Sequence, residues 1–99
     1  MSRFTLFIDP TAKADIQDAV SYYNSKTKDL GKKFHSEVKN AFKSLSNNPH
    51  FQIRYNHVRC LPLKKFPFLI HYQIDVEQNT ITVYAVLHTS LDTSNWLKT

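Results

Sequence analysis

Apolar residues recur at helical spacing in the first half of the chain. Between positions 11 and 27 they form one stripe, made of Ile16, Ala19, Val20 and Tyr23. A second stripe follows Leu30 and consists of Phe34, Val38, Ala41, Phe42 and Leu45. Asp9-Pro10 supplies an N-cap and a first-turn proline, and Asn47-Asn48-Pro49 ends the second pattern. The pattern predicts an antiparallel pair of helices, with Gly31 expected to take a positive φ in the link.

Strand-like alternation dominates the second half of the chain. Val58 and Cys60 alternate with Arg59 and Leu61. The next strand has one apolar face of Phe68, Ile70, Tyr72 and Ile74. After a turn at 76–79, the last strand is expected to place Ile81, Val83, Ala85 and Leu87 on one face and Thr82, Tyr84, Val86 and His88 on the other. Short links between consecutive strands favour antiparallel pairing.

A short apolar run at 3–8 adds an N-terminal strand before the helices. The predicted order is therefore β-α-α-β-β-β, and the apolar stripes of the two helices are the available cover for one sheet face. This order predicts an α+β fold, a two-layer sandwich of a helix hairpin on an antiparallel sheet. Trp96, in an otherwise polar tail, is expected to dock on the body.

Composition narrows the class of protein. A chain of 99 residues with 41% hydrophobic and 13% aromatic residues can bury one core, so we expect a single domain spanning 1–99. The one cysteine excludes an internal disulfide framework and fits a reducing compartment. The N-terminus lacks the apolar core of a secretory signal, and no run approaches the ~20 apolar residues of a membrane span. We therefore expect a cytoplasmic protein with no membrane partner.

A formal net charge of +5 favours an acidic or polyanionic partner, such as nucleic acid, the ribosome or an acidic protein. A mildly basic, well-solvated surface is the alternative. Four cations fall close together in the sequence and are candidates for binding a target or nucleic acid: Arg54, Arg59, Lys64 and Lys65. Lys64 and Lys65 are expected in the link between two strands, where a solvated turn is the simpler interpretation.

Candidates for chemistry are few. The histidines show no metal-ligand spacing, and neither a phosphate-binding loop nor another cofactor motif occurs, so we expect no metal and no cofactor. Cys60 is either a buried structural thiol or a reactive one. His88 and His71 have the side chain best suited to proton transfer near neutral pH. The alternative for His88 is a hydrogen bond to a neighbouring strand or to the tail. Asp15 and Asp18 are interpreted as part of a solvated helix face.

Several short motifs, in order and spacing, are similar to one known family. The first helix carries Ala12-x-x-Asp15-Ile16-x-x-Ala19-x-x-Tyr22-Tyr23, and the second opens with Leu30-Gly31-x-x-Phe34. The later motifs are Asn48-Pro49, Arg59, Phe66-Pro67-Phe68-x-Ile70-x-Tyr72-x-Ile74-Asp75, Val86-Leu87-His88-Thr89 and Trp96. Together they resemble the RelE/ParE superfamily of toxins from type II toxin–antitoxin modules.

The resemblance implies a growth-inhibiting toxin of the plasmid-stabilisation type, held by a cognate antitoxin in a hetero-oligomer. The antitoxin segment is expected to bind apolar strips left between the helices and the sheet. RelE-like members cleave mRNA on the ribosome without a metal, whereas ParE-like members inhibit DNA gyrase. The nucleases often carry arginine where this chain has Leu69 and Leu91, which favours the ParE-like branch or a member whose activity has decayed.

Two alternatives remain open at this point. In a RelE-type endonuclease, the catalytic residues would be His88, Arg59 and His71, and the 2′-hydroxyl of the RNA would be the nucleophile. A small RNA-binding module would use the same basic residues without cleavage.

Overall fold

The computed structural model describes residues 4–47, 53–55 and 58–89, the segment 53–55 by its backbone alone. It contains two helices and five strands. Their bounds, in chain order, are β1 Thr5–Ile8, α1 Pro10–Lys26, α2 Leu30–Asn47, β2 Ile53–Tyr55, β3 Val58–Pro62, β4 Phe68–Asp75 and β5 Thr80–His88. The α+β class and the predicted element order are confirmed. The region before β4 holds a second short strand, β2, in addition to those predicted.

The helix bounds follow the local signals in the sequence. Asp9 caps α1 by accepting a 2.9 Å hydrogen bond from the Thr11 backbone N–H, and Pro10 occupies the first turn. In α2 the predicted stripe faces inward, with Phe34, Val38 and Leu45 fully buried. The apolar spacing and the cap were therefore sufficient to place both helices.

Gly31 has a different role from the predicted one. No glycine takes a positive φ among the described residues; the left-handed position in the helix link belongs to Asp29, with φ of 66°. Gly31 lies in the first turn of α2, where its N–H donates a 2.9 Å hydrogen bond to Asn24 Oδ1 of α1. Glycine is needed here because the two helix backbones approach each other closely, and not because the chain must turn.

The strands form one sheet in the order β1-β5-β4-β3-β2. The four strands β2 to β5 pair antiparallel, as expected, whereas β1 pairs with β5 in parallel. This parallel pair is possible because the helix hairpin and the strands β2, β3 and β4 separate β1 from β5 along the chain, which leaves ample length for a crossover. The hairpin covers one face of the sheet, hereafter the helix-covered face.

A β-bulge interrupts the alternation of β5 and corrects the predicted face assignment. His71 pairs with Ala85 but Tyr72 pairs with Val83, so Tyr84 has no opposite residue on β4. One extra residue shifts every later side chain to the other face. Val86, which was predicted to share a face with Tyr84, is instead 2% exposed in the core under the helices.

An aromatic cluster joins the helix hairpin to the start of β4. The ring of Tyr23 lies 5.0 Å from that of Phe66 and 6.1 Å from that of Phe68. Phe34 contacts the same two rings at 5.2 and 5.0 Å, mostly edge to face. These contacts anchor the Phe66-Pro67-Phe68 segment in the core. They therefore fix the C-terminal end of the loop that precedes it.

Some sequence predictions lie outside the described residues. These are the docking of Trp96, the position of Leu91, the helix stop at Asn48-Pro49 and the side chain of Arg54, whose backbone belongs to β2.

Candidate functional site

A groove runs between the outer side of α2 and the loop that joins β3 to β4. Its volume is about 960 Å³. The α2 side is formed by Asp29, Leu30, Lys32, Lys33, Ser36, Glu37, Asn40, Ala41 and Ser44, and the opposite side by residues 61–66. Leu63 at its floor is buried, and Leu61 and Phe66 are half-buried. This α2–loop groove combines an apolar floor with polar edges, which is typical of binding sites.

Glu37 holds the two sides of the groove together. Its carboxylate accepts hydrogen bonds from the backbone N–H groups of Lys64 and Lys65, the latter at 3.0 Å. These two donors lie in the irregular segment between the strands, where no ladder partner is available to them. A charged acceptor shared by two N–H groups fixes the loop against α2. The shape of the groove is therefore set by the fold before any partner binds.

Lysine side chains line both edges of the groove. Lys64 and Lys65, predicted from sequence to lie in this loop, are exposed there, and Lys32 and Lys33 are exposed across from them on α2. The α2 pair was missed because it is distant in sequence from the predicted basic residues. Only the packing of α2 beside the loop brings the four charges to one site.

Arg59 lies apart from this loop, in β3. It pairs with Tyr72, whose side chain is fully buried under the helices, so Arg59 is on the helix-covered face, half-buried. Lys64 follows five residues later, beyond the end of β3. Arg59 is therefore part of the β3 ladder, whereas the lysine pair belongs to the loop that follows it.

His88 is on the same face as Arg59 but at a different part of the sheet. It pairs with Phe68 of β4, and its ring lies 5.2 Å from the Phe68 ring. Arg59 and His88 are two strands apart, which is about 10 Å across the sheet. Along the strands they are offset by four β4 residues, about 13 Å. The Thr89 N–H donates to the Pro67 carbonyl at 2.8 Å, so His88 is at the loop end of the sheet.

His71 lies on the opposite face of the sheet. It is fully buried, and its Nδ1 lies 3.4 Å from the Sγ of Cys60, which is 4% exposed. Of the two alternatives for Cys60, a buried thiol or a reactive one, the structure shows the buried thiol. The three residues predicted for a nuclease, His88, Arg59 and His71, are not gathered around one point, and their catalytic roles stay a prediction.

Asp15 is a structural residue that the sequence interpretation placed in a solvated helix face. Its Oδ2 accepts a 3.0 Å hydrogen bond from the Val86 backbone N–H. β1 ends at Ile8, opposite Val83. Beyond Val83, β5 therefore has α1 beside it in place of a strand. Burial raises the pKa of the Asp15 carboxyl above its ordinary value of 3.8, the Val86 bond lowers it, and Asp18 raises it again.

Metal-binding clusters and membrane-spanning helices are absent from the described part of the chain. No group of three or more His, Cys, Asp or Glu side chains is placed to hold a metal ion there. Neither helix is long and apolar enough to cross a membrane.

Several solved structures share the fold of this chain. A structure of the chromosomal ParDE toxin–antitoxin system from P. aeruginosa has a TM-score of 0.78 at 16% identity, covering 88% of this chain and 97% of that one. The intact E. coli RelBE complex has a TM-score of 0.67 at 15% identity, covering 90% of this chain and 99% of that one. The Mycobacterium tuberculosis RelBE2 complex has a TM-score of 0.62 at 22% identity, covering 89% of this chain and 93% of that one. The fold is that of the RelE/ParE toxins.

The family itself is defined by sequence. Residues 6–92 match the model of the ParE toxin of the type II toxin–antitoxin system parDE. The chain therefore belongs to the ParE toxin family of type II toxin–antitoxin systems. Among curated proteins, none matches the sequence significantly.

Proposed function

We propose that this toxin arrests growth in the cytoplasm by binding DNA gyrase, and that a cognate antitoxin neutralises it by forming a hetero-oligomer with it. The observation that carries the proposal is the ParE family match over residues 6–92. The exposed lysines of the β3–β4 loop, Lys64 and Lys65, provide cations for contact with the target. Arg59 and Arg54 are the further basic residues assigned to this contact.

The arrangement of the nuclease candidates supports the gyrase proposal over RNA cleavage. General acid–base catalysis requires groups within hydrogen-bond reach of one substrate, about 3 Å from the reacting atoms. His71 is buried on one face of the sheet, and His88 is on the other. Leu69, at the position where the nucleases often have arginine, is 9% exposed and pairs with Leu87. Apolar packing occupies this position in place of a cation.

One observation favours RNA cleavage as the second candidate. His88 is at the same end of the sheet as the β3–β4 loop, through the hydrogen bond between Thr89 and Pro67. An imidazole at the same end of the sheet as two exposed lysines is a suitable arrangement for proton transfer beside a bound phosphate. A RelE-type toxin would use this end of the sheet on ribosome-bound mRNA.

Expression in cells without the antitoxin separates the two candidates. We expect growth arrest with DNA breaks that depend on gyrase, and mRNA 5′ ends that match those of uninduced cells. The His88→Gln variant is the matched control, because it removes the imidazole while retaining a polar side chain. It should arrest growth as the unmodified chain does.

Codon-phased mRNA cuts that disappear in His88→Gln would contradict the gyrase proposal and establish cleavage. Normal growth after induction, with the chain present at a readily detected level, would contradict both candidates.

A further inference from the structure

We propose that Glu37 is a positioning residue for the target contact, and that its carboxylate holds the β3–β4 loop so that Lys64 and Lys65 reach the target together. This role rests on the proposed function, which assigns the two lysines to the target. Glu37 lies on α2, 27 residues before Lys64 in the chain. It acts on affinity through the loop backbone, without touching the target.

Glu37 binds the backbone of the two lysines and leaves their side chains available. The N–H groups of Lys64 and Lys65 both donate to its Oε2, the latter at 3.0 Å. Within the described residues, no ion pair joins the carboxylate to either ammonium group. Both lysine side chains are exposed. The carboxylate therefore orders the loop at the two positions that bear the charges, without pairing with the charges themselves.

The ends of the loop are held by other contacts. The Leu63 N–H donates to the Phe68 carbonyl at 2.9 Å, which closes the link between β3 and β4. On the other side of the lysines, the Phe66 ring packs in the aromatic cluster of the core. The two lysines lie between these anchors, and their N–H groups have the carboxylate as acceptor. Loss of the carboxylate should therefore loosen these two positions and leave the fold intact.

Removal of the carboxylate affects charge and order in opposite directions. Glu37 is one of two acids among four lysines along the α2–loop groove, so its loss makes the groove more basic. Charge alone would then strengthen binding to an acidic or polyanionic target. A loosened loop has to be ordered again when the target binds, which weakens affinity. The sign of the effect therefore separates a positioning role from a role in charge.

Glu37→Ala tests the sign. We expect the toxin concentration that halves supercoiling by gyrase to rise about fivefold or more, because the two lysine positions lose their order. Glu37→Gln keeps an acceptor oxygen and should fall between Glu37→Ala and the unmodified chain. Glu77→Ala, in the exposed turn between β4 and β5, removes the same charge away from the loop and should change this concentration less than about twofold. Cooperative melting of each variant shows that it folds.

The effect of Glu37→Ala should depend on the lysines. Lys64→Ala with Lys65→Ala removes both charges and keeps both backbone N–H donors, so this double variant retains the Glu37 contact. Arg54 and Arg59, assigned to the same target contact, remain and keep inhibition measurable. A positioning residue loses its effect when the side chains that it positions are absent, so adding Glu37→Ala to the double variant should change inhibition less than about twofold. A general loss of stability would instead weaken inhibition equally in both backgrounds.

Inhibition by Glu37→Ala that is stronger than that of the unmodified chain, or within about twofold of it, would overturn the proposal. So would an equal loss when Glu37→Ala is added to the unmodified chain and to the double variant. Gyrase that is unaffected by the unmodified chain contradicts the proposed function, which is a different result. The same variants are then compared by the induction level at which growth stops. Arrest by Glu37→Ala at the level of the unmodified chain overturns the positioning role for any target.

Discussion

Asp15 shows how one carboxylate connects the two layers of this toxin. It lies on α1, and its bond to the Val86 N–H is the contact through which the helix supports β5 beyond the end of β1. The bond satisfies a backbone donor that would otherwise be left without a strand partner. The carboxyl is partly buried, and this burial is the largest cause of its raised pKa. The hydrogen bond from Val86 therefore lowers the pKa of Asp15, whereas burial and the charge of Asp18 raise it.

Asp15→Asn separates these two effects. Because the folded-state pKa is raised above 3.8, the native protein binds the proton more tightly than the unfolded chain, and the stability contributed by Asp15 falls as pH rises above 3.8. Asparagine keeps an acceptor oxygen but has no charge. We expect the Asn variant to match the unmodified protein below pH 3.8 and to gain relative stability as pH rises toward neutrality, in urea unfolding at several pH values.

Asp15→Ala is the companion variant, since it removes the acceptor as well. It should lower the free energy of unfolding by about 1 kcal/mol at neutral pH, the scale of a lost backbone hydrogen bond. If the unmodified protein is instead more stable than Asp15→Asn at neutral pH, the carboxylate charge is stabilising and the account of this residue is wrong.

The position of Asp15 was readable from sequence, although its partner was not. It is three residues after Ala12 and four before Ala19, both buried, so it lies on the side of the buried stripe and is itself half-buried. Val86 is 71 residues away in the chain, and no local pattern connects the two. The same limit applies to Glu37, whose partners lie in the β3–β4 loop.

The helix hairpin is held by close packing at Gly31. A Cβ atom at this position would collide with the carbonyl oxygen of Val20 and lie 2.7 Å from Asn24 Cγ. The neighbour at the first contact is backbone, which cannot move aside as a flexible side chain can. The separation of α1 and α2 at the link therefore depends on the absence of a side chain.

Gly31→Ala should destabilise the fold although alanine is the better helix former. Overpacking typically costs about 1–3 kcal/mol, against a propensity gain of about 1 kcal/mol. We expect a net loss of up to about 2 kcal/mol in the free energy of unfolding, measured in urea. Lys32→Ala, at the next and exposed position, is the control and should change it by less than about 0.5 kcal/mol. A more stable Gly31→Ala variant would show that the helices can separate without cost.

Elements defined by a local period were predictable, and elements defined by pairing were not. Both helices follow from their stripes and from the Asp9 cap. The face assignment of β5 failed after Val83, because a bulge is an extra residue in the pairing and leaves no mark in an alternating sequence. The parallel pairing of β1 with β5 likewise leaves no local pattern in the sequence. It depends on where the chain enters the sheet after the helices.

At the scale of the whole molecule, the sequence identified the family and part of the binding surface. Lys64 and Lys65 were placed correctly in the strand link because local patterns define that link. The groove itself required the packing of α2 beside the loop, which brings Lys32 and Lys33 to the same site. The separation of His71 from His88 by the sheet likewise depends on register, so sequence alone grouped residues that the fold sets apart.

Inhibition of purified gyrase tests the proposed function most directly. Relaxed plasmid, gyrase and ATP are combined with increasing amounts of the purified toxin, and supercoiling is followed on gels, with a heat-denatured sample of the toxin as control. We predict that supercoiling stops at toxin concentrations comparable to that of gyrase and returns when the antitoxin is added. Full supercoiling at about tenfold molar excess of a preparation that arrests growth in cells would contradict it.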